Sequence, residues 1–354
     1  MKVKMMFVLF AAMTSVTYGI GNARLSVMVV DSETKAPLSG LRVHGGFLNY
    51  SRGWGIAAKD NSDEGVTDRN GFCRLSGDTE AGESCCIVRG NNGFYDSGWY
   101  SIEYTERSLL KLGRWLPDDV VITARLDRVI TPIPLYVNVA RGEYRERSQA
   151  YYELSIKKGD FSVTNGVPVV TDEKLSYDLV KGVWLPPHGD GEVCDIQFVF
   201  NENVLGWKED RGYDGTFVMK LYRTTAAIAM PGKGNGIVEM PSRDNAGIRL
   251  RIAPEDGFGN TLTRWRGWFG GGDGMKTDSD KNRCYAFRIR TKYDENGNIK
   301  SAYYGKIYND FDISSLEGVR FLYYLNPTPN DRNLEWDRKT NLCPNPGDIG
   351  NPQP

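Results

Sequence analysis

Tyr285-Ala286-Phe287-Arg288-Ile289-Arg290-Thr291-Lys292-Tyr293-Asp294-Glu295-Asn296-Gly297-Asn298-Ile299 reads as a strand, a tight turn and the start of a returning strand. Tyr285, Phe287 and Ile289 alternate with Arg288 and Arg290, so one face of the strand is apolar and the other wet. Asn296-Gly297 between two such runs is a strong hairpin signal, and the return continues through Ile299 to Tyr304. The same period of two recurs along the chain. Leu25, Val27 and Val29 alternate with Ser26, Met28 and Val30, and Ile196, Phe198 and Phe200 repeat the pattern. Phe217, Met219 and Leu221 follow it with Lys220 outward; so do Ile248, Leu250 and Ile252 against Arg249 and Arg251, and Val319, Phe321, Tyr323 and Leu325. The 40 glycines and 19 tyrosines favour many turns and short strands. A helical period is expected only from Tyr104 to Leu112, with Leu109, Leu110 and Leu112 on one side and Gly113 ending it. The fold class is therefore all-β.

At 354 residues the chain has room for two domains, each large enough to bury its own core. Thr131-Pro132-Ile133-Pro134 is stiff and extended, because proline fixes its own φ and restricts the residue before it. The charged run Arg141 to Arg147 follows. These features mark residues 129–145 as a connector, strand-like from Thr131 to Ala140, between a domain at 24–128 and a β-rich domain at 146–342. Residues 343–354, rich in proline and glycine, read as a disordered tail.

Residues 1–19 have the order of an export signal: Lys2 and Lys4, an apolar run from Met5 to Met13, then Thr17-Tyr18-Gly19 at cleavage spacing. That run is shorter than the roughly 20 residues needed to span a bilayer, and no other segment is apolar enough to cross as a helix. The expected destination is the periplasm or the exterior. A net charge of −1 leaves no basic surplus for phosphates, so nucleic acid is not an expected partner. Cys73, Cys85, Cys86, Cys194, Cys284 and Cys343 have no metal-ligand spacing. Either Cys73 bridges to Cys85 or Cys86 across a hairpin, but not to both since neighbours point to opposite faces, or all six are small buried thiols.

Val29-Val30-Asp31, Pro37-Leu38-Ser39-Gly40-Leu41-Arg42-Val43, Thr67-Asp68-Arg69-Asn70-Gly71-Phe72 and the later turn from Gly90 to Tyr95 together resemble the carboxypeptidase regulatory-like family. The resemblance implies a transthyretin-like (prealbumin-like) β-sandwich over residues 24–128, acting as a rigid accessory module, followed by a second, larger antiparallel β-sandwich-like domain. It implies neither enzyme associated with this fold. The only histidines, His44 and His188, cannot make the carboxypeptidase zinc site, and the terminus Asn351-Pro352-Gln353-Pro354 is not that of the urate-pathway hydrolase. Gly113-Arg114-Trp115-Leu116-Pro117, Tyr177-Asp178-Leu179-Val180-Lys181-Gly182-Val183-Trp184 and Tyr323-Tyr324-Leu325-Asn326-Pro327 resemble secreted bacterial proteins with no transferable activity.

Catalytic chemistry finds little to build on. There is no G-x-S-x-G elbow. His188 in Pro187-His188-Gly189-Asp190 reads as an exposed turn residue. Asp278-Ser279-Asp280-Lys281-Asn282 begins like a calcium loop, but Arg283 stands where glycine is required and Ile289 where glutamate is. The expected chain is thus a secreted, non-catalytic accessory, binding or structural protein, with no cofactor and no metal, meeting a protein or glycan partner outside the cytoplasm. The alternative is a carbohydrate-binding or glycoside-processing protein. It would use Arg264-Trp265-Arg266-Gly267-Trp268-Phe269 and the glycines that follow, with Arg264 and Arg266 donating, Trp265, Trp268 and Phe269 stacking, and Trp54 in Arg52-Gly53-Trp54-Gly55 as a second platform.

Overall fold

The computed structural model describes residues 21–48, 62–80, 82–91, 93–108, 114–142, 171–212, 215–240, 250–269, 275–280, 283–314, 318–347 and 349. The export signal and Trp54 lie outside the described residues. The chain divides into two compact units, Met1–Arg128 and Val129–Pro354, and the elements of both are strands. The architecture is all-β: a smaller sandwich in the first unit and a larger, mainly antiparallel one in the second.

The first unit contains β1 (Gly21–Asp31), β2 (Arg42–Phe47), β3 (Ser62–Val66), β4 (Phe72–Thr79), β5 (Glu83–Arg89), β6 (Tyr100–Glu103), β7 (Glu106–Ser108), β8 (Arg114–Leu116) and β9 (Val120–Leu126). One sheet has the order β4-β1-β9, the other β3-β2-β5-β6, and β7 pairs with β8. The alternation in β1 puts Leu25, Val27 and Val29 wholly in the core, packed with Val43, Phe47, Val88 and Leu126. Burying each such side chain stabilises the fold by about 1.5–3 kcal/mol. Between β3 and β4, the Asp68 carboxylate accepts the amides of Asn70 and Phe72, while Gly71 takes φ 79. Asp31 performs the same task at the C-terminal end of β1, accepting the amides of Glu33 and Thr34 and the Arg128 guanidinium at 2.7 Å.

The second unit contains β10 (Ile133–Gly142), β11 (Thr171–Asp178), β12 (Val183–Trp184), β13 (Ile196–Gly212), β14 (Gly215–Ala229), β15 (Gly236–Met240), β16 (Thr261–Trp268), β17 (Met275–Thr277), β18 (Cys284–Tyr293), β19 (Ile299–Ser314), β20 (Gly318–Leu325) and β21 (Trp336–Asn341). Its sheets run β15-β18-β19-β20-β10-β21 and β12-β11-β13-β14-β16-β17. The shared core is aromatic: Tyr177, Phe198, Phe200, Tyr285, Phe287, Phe311, Phe321 and Tyr323 join Ile196, Ile228 and Ile289. The β18–β19 hairpin closes on Asp294, whose carboxylate accepts the amides of Asn298 and Asn296, with Gly297 at φ 81.

Four expectations are corrected. The region expected as a helix contains β7 where it is described, since Glu106–Ser108 pairs with β8 just beyond it; Leu109, Leu110 and Leu112 lie outside the described residues. The expected connector is β10, an interior strand paired with β20 and β21 that buries Leu135 and Val137. Its prolines are tolerated because Pro132 precedes the strand and Pro134 falls at the irregularity of the β21 pairing between Ile133 and Leu135, before pairing with β20 begins at Tyr136. Around Ile252 there is an isolated bridge to Asn333 rather than a strand, and Ile252 is exposed. The start of the expected tail is anchored: Cys343 is buried, and Asn345 donates to Lys181 O and accepts from Asn138.

The cysteines are all thiols. Cys73 and Cys86 both enter the first core, but β4 and β5 belong to different sheets and form no hairpin. The Cys73 sulfur abuts Gly65 on β3, two strands across the facing sheet from Cys86 on β5. At about 4.8 Å per strand the gap is roughly 10 Å, beyond bridging reach. Cys85 is half-buried and faces away.

A methyl group at Gly71 would lie 2.6 Å from Val29 O, on a backbone already at φ 79. Gly71→Ala should therefore destabilise the first unit by about 1–3 kcal/mol, read from its urea unfolding midpoint.

Candidate binding surface on the second unit

The sequence brought Arg264 to Phe269 together as one constellation; the structure divides it between two faces. Residues three apart on a strand point in opposite directions. Arg264, Arg266 and Trp268 stand opposite Ala226, Thr224 and Tyr222 on the core-facing side of β14. Trp265 stands opposite Thr225 on the outer side. The Arg223 guanidinium covers the Trp265 ring at 4.6 Å, and Phe269 meets Trp265 edge to face at 6.1 Å and 84°. No coplanar pair of open rings results. Trp268 is only partly accessible, and Phe269 is 37% exposed. The glycines from Gly270 to Gly274 lie outside the described residues.

Arg264 is the buried member of a charge network that sequence reasoning missed. Its Nε donates to Tyr285 Oη and to Asp310 Oδ1, each at 3.1 Å, and its Nη2 donates to Glu239 Oε2 at 3.0 Å and to Tyr285 Oη. Tyr285 donates to Asp310 Oδ1 at 2.7 Å. Arg283 pairs with Glu239 at 3.2 Å and with Asp310 Oδ2 at 3.1 Å. Asp310 also accepts the amides of Asp280 and Phe311. Two cations thus face two carboxylates, and the buried charges are paired and hydrogen-bonded, as burial demands. Burial alone would raise the Asp310 pKa. The Tyr285 hydroxyl, the two amides and Arg264 overcome it and hold the carboxyl below its ordinary value of 3.8. Burial also works against the Arg264 charge, but Tyr285 and Asp310 hold it firmly protonated. Tyr285 is pushed upward by burial and by its bond to Asp310, so it stays a neutral donor.

Asp310 reaches inward because Asn309 and Asp310 take φ 69 and 63 in an irregularity of the β19–β20 ladder between Tyr308 and Asp312. The only sequence trace of this is Asn309-Asp310 interrupting an apolar alternation. Further along the same face, Arg266 donates to Asp312 Oδ1 at 3.2 Å and to Ile313 O. Beside it, Thr224 Oγ1 and Trp268 Nε1 are buried with no hydrogen-bond partner among the described residues.

The other sequence candidates have structural tasks. The Asp278 carboxylate accepts the Trp265 amide at 2.7 Å, which ties β17 to β16 rather than forming a calcium loop. Among the described residues no group of His, Cys, Asp and Glu is placed to hold a metal. His188 is exposed in its turn, and His44 Nδ1 lies 3.2 Å from Glu64. Burial pushes the thiols of Cys73 and Cys284 up to about 11 and that of Cys86 to about 12, so they remain protonated and unreactive at neutral pH. No helix of the described residues is long and apolar enough to cross a membrane.

No protein-family model matches the chain, and no curated protein matches it. Among solved structures it is similar to the 3-chlorocatechol 1,2-dioxygenase of Rhodococcus opacus 1CP, at 11% identity and TM-score 0.23, over 31% of this chain and 61% of that one. It is similar to a streptococcal ancillary pilin at 12% identity and TM-score 0.21, over 60% of this chain and 55% of that one. It is also similar to the full-length major pilin SpaD of Corynebacterium diphtheriae at 9% identity and TM-score 0.23, over 77% and 87%. The chain thus spans less than two thirds of the dioxygenase and of the ancillary pilin, and superpositions at this level carry no activity across.

Two outcomes follow from the network and its unpaired neighbours. The stability that Asp310 contributes is fully present above its unfolded value of 3.8 and is lost as pH falls through its lower folded value. Asp310→Asn should lower the stability of the second unit by about 3–5 kcal/mol near neutral pH and flatten its acid dependence, measured by urea unfolding across pH. Thr224→Val removes an unpaired buried hydroxyl in nearly the same shape and should stabilise the unit by about 1 kcal/mol in the same assay.

Proposed function

We propose that the chain is a secreted, non-catalytic accessory or structural protein, with its binding or assembly surface on the second unit. The observation that carries this reading is the mutual pairing of the charged side chains around β16. Arg264, Arg283, Glu239, Asp310 and Tyr285 neutralise one another, and none is left poised as an acid, a base or a nucleophile. The buried thiols are held protonated as well. Export rests on the charged, apolar and small residues at positions 2–19. The first unit serves as the rigid module that its resemblance to the carboxypeptidase regulatory-like family implies.

The carbohydrate alternative loses its main support, since the rings it needs are split between two faces and Trp265 is capped by Arg223. The test is to incubate the mature chain with a panel of glycoside, ester and peptide substrates and to probe it on a glycan array. Turnover is expected to stay at background, and Trp265→Ala is expected to leave the array unchanged. Useful turnover on any substrate, or glycan binding that Trp265→Ala abolishes, would overturn the reading.

A further inference from the structure

We propose that β10 and the turn between β11 and β12 form a peptide-binding site, whose ligand is the proline- and asparagine-rich segment 341–349 of the same chain. The ligand class is an extended polypeptide that offers a carboxamide between two apolar anchors. On the side of the site, Leu135 O and the N–H and C=O of Val137 are directed at the segment. Asn138, 2% exposed, supplies its carboxamide, and the turn supplies Lys181 O and the bare backbone of Gly182 at φ 74.

On the side of the segment, Leu342 donates its amide to Leu135 O at 2.9 Å. The Asn341 carboxamide accepts the Val137 amide at 3.0 Å and donates to Val137 O at 2.8 Å, so a side chain stands where a neighbouring strand would put its backbone. Asn138 donates to Asn345 O at 3.1 Å and accepts the Gly347 amide at 2.6 Å; Asn345 in turn donates its carboxamide to Lys181 O at 3.0 Å. Cys343 is buried against Gly182, where a methyl group would lie 2.7 Å from its sulfur, and Ile349 packs on the cluster of Leu135, Val137 and Trp336.

The segment is held as a ligand is held, not as a strand. The pairing of β21 with β10 ends at Leu135 opposite Asn341, after a register shift. Pro344 and Pro346 have no N–H to give to a ladder. Residues 344–347 stay exposed although Cys343 before them is covered. Attachment therefore falls to side-chain amides on both partners. They read an asparagine at 345 and a glycine at 347, where a Cβ would lie 3.0 Å from Val139 O. Departure of the segment strips the buried Asn138 carboxamide of the Gly347 amide, a loss that a peptide of the same chemistry restores. The site is thus closed to outside peptides while its own segment is bound.

This site does not depend on the non-catalytic reading, because an enzyme could carry it; the substrate panel and the experiment below fail separately. The probe is a fluorescein-labelled peptide with the sequence of residues 341–351, titrated against the full chain and followed by anisotropy. The native chain should not bind it, because its own segment fills the site. A full-length variant combining Cys343→Asp, Asn345→Ala and Gly347→Val expels that segment and should bind the peptide saturably. A peptide carrying Asn345→Ala should bind that variant about tenfold more weakly, the loss of one hydrogen bond. A folded variant that binds the peptide no tighter than the native chain does overturns the proposal, as does equal binding of the two peptides. Loss of cooperative unfolding of the second unit in the variant overturns it too, since the segment would then belong to the core.

Discussion

Asp310 has no exposed side-chain surface, yet it is ionised, and the β16 end of the second sandwich is arranged around that fact. A carboxylate out of water must fill its acceptor positions. Asp310 does so with a phenol, two guanidinium groups and two backbone amides drawn from β16, β18, the turn before β18 and its own strand. Each of those donors is held in place in return. Arg264 could not be buried on β16 without a counter-charge, and Tyr285 could not enter an aromatic core without an acceptor for its hydroxyl. The left-handed backbone at Asn309 and Asp310 costs a few kcal/mol at most. It is sustained because an ordinary strand would direct residue 310 elsewhere.

The other end of this core is closed by the same logic with the signs reversed. Arg290, at φ 52 in a bulge of β18, donates to Asp195 at 2.9 and 2.8 Å and to Asp178 at 2.6 Å. Asp178 also accepts the amides of Val180, Lys181 and Val193, which fixes the turn between β11 and β12. Burial pushes Asp195 upward against the pull of Arg290. An aromatic core is thus capped by a carboxylate fed by two arginines at one end and an arginine fed by two carboxylates at the other. Both capping residues sit where a strand breaks its register.

What could be read from sequence followed the periodicity. β1, β13, β18 and β20 were legible because an apolar residue at every second position has one physical meaning in a sheet. The Asp68 and Asp294 turns were legible because Asx side chains and a following glycine are local devices. β10 was not, since Pro132 and Pro134 look like a linker when their place at the start of an interior strand is unknown. The split of Trp265 from Trp268 was available from the same period of two, and was obscured by treating neighbouring aromatics as one cluster. Arg290 and Asp310 were illegible for a different reason. Their partners are tens of residues away, and a bulge leaves no residue pattern beyond a lapse in alternation. The expected hairpin between Cys73 and Cys85-Cys86 could be judged only from the sheet order, which puts β4 and β5 in different sheets.

The saturation of the charges bears on what kind of recognition this molecule can perform. Titratable groups that would steer a charged ligand, transfer a proton or bind a metal are occupied with one another around β16 and around Arg290. Among the described residues, the rings of Trp265 and Phe269 at the end of β16 stay partly exposed. The charge networks at the two ends of the aromatic core thus serve the fold, and the open surface beside them at the end of β16 is aromatic.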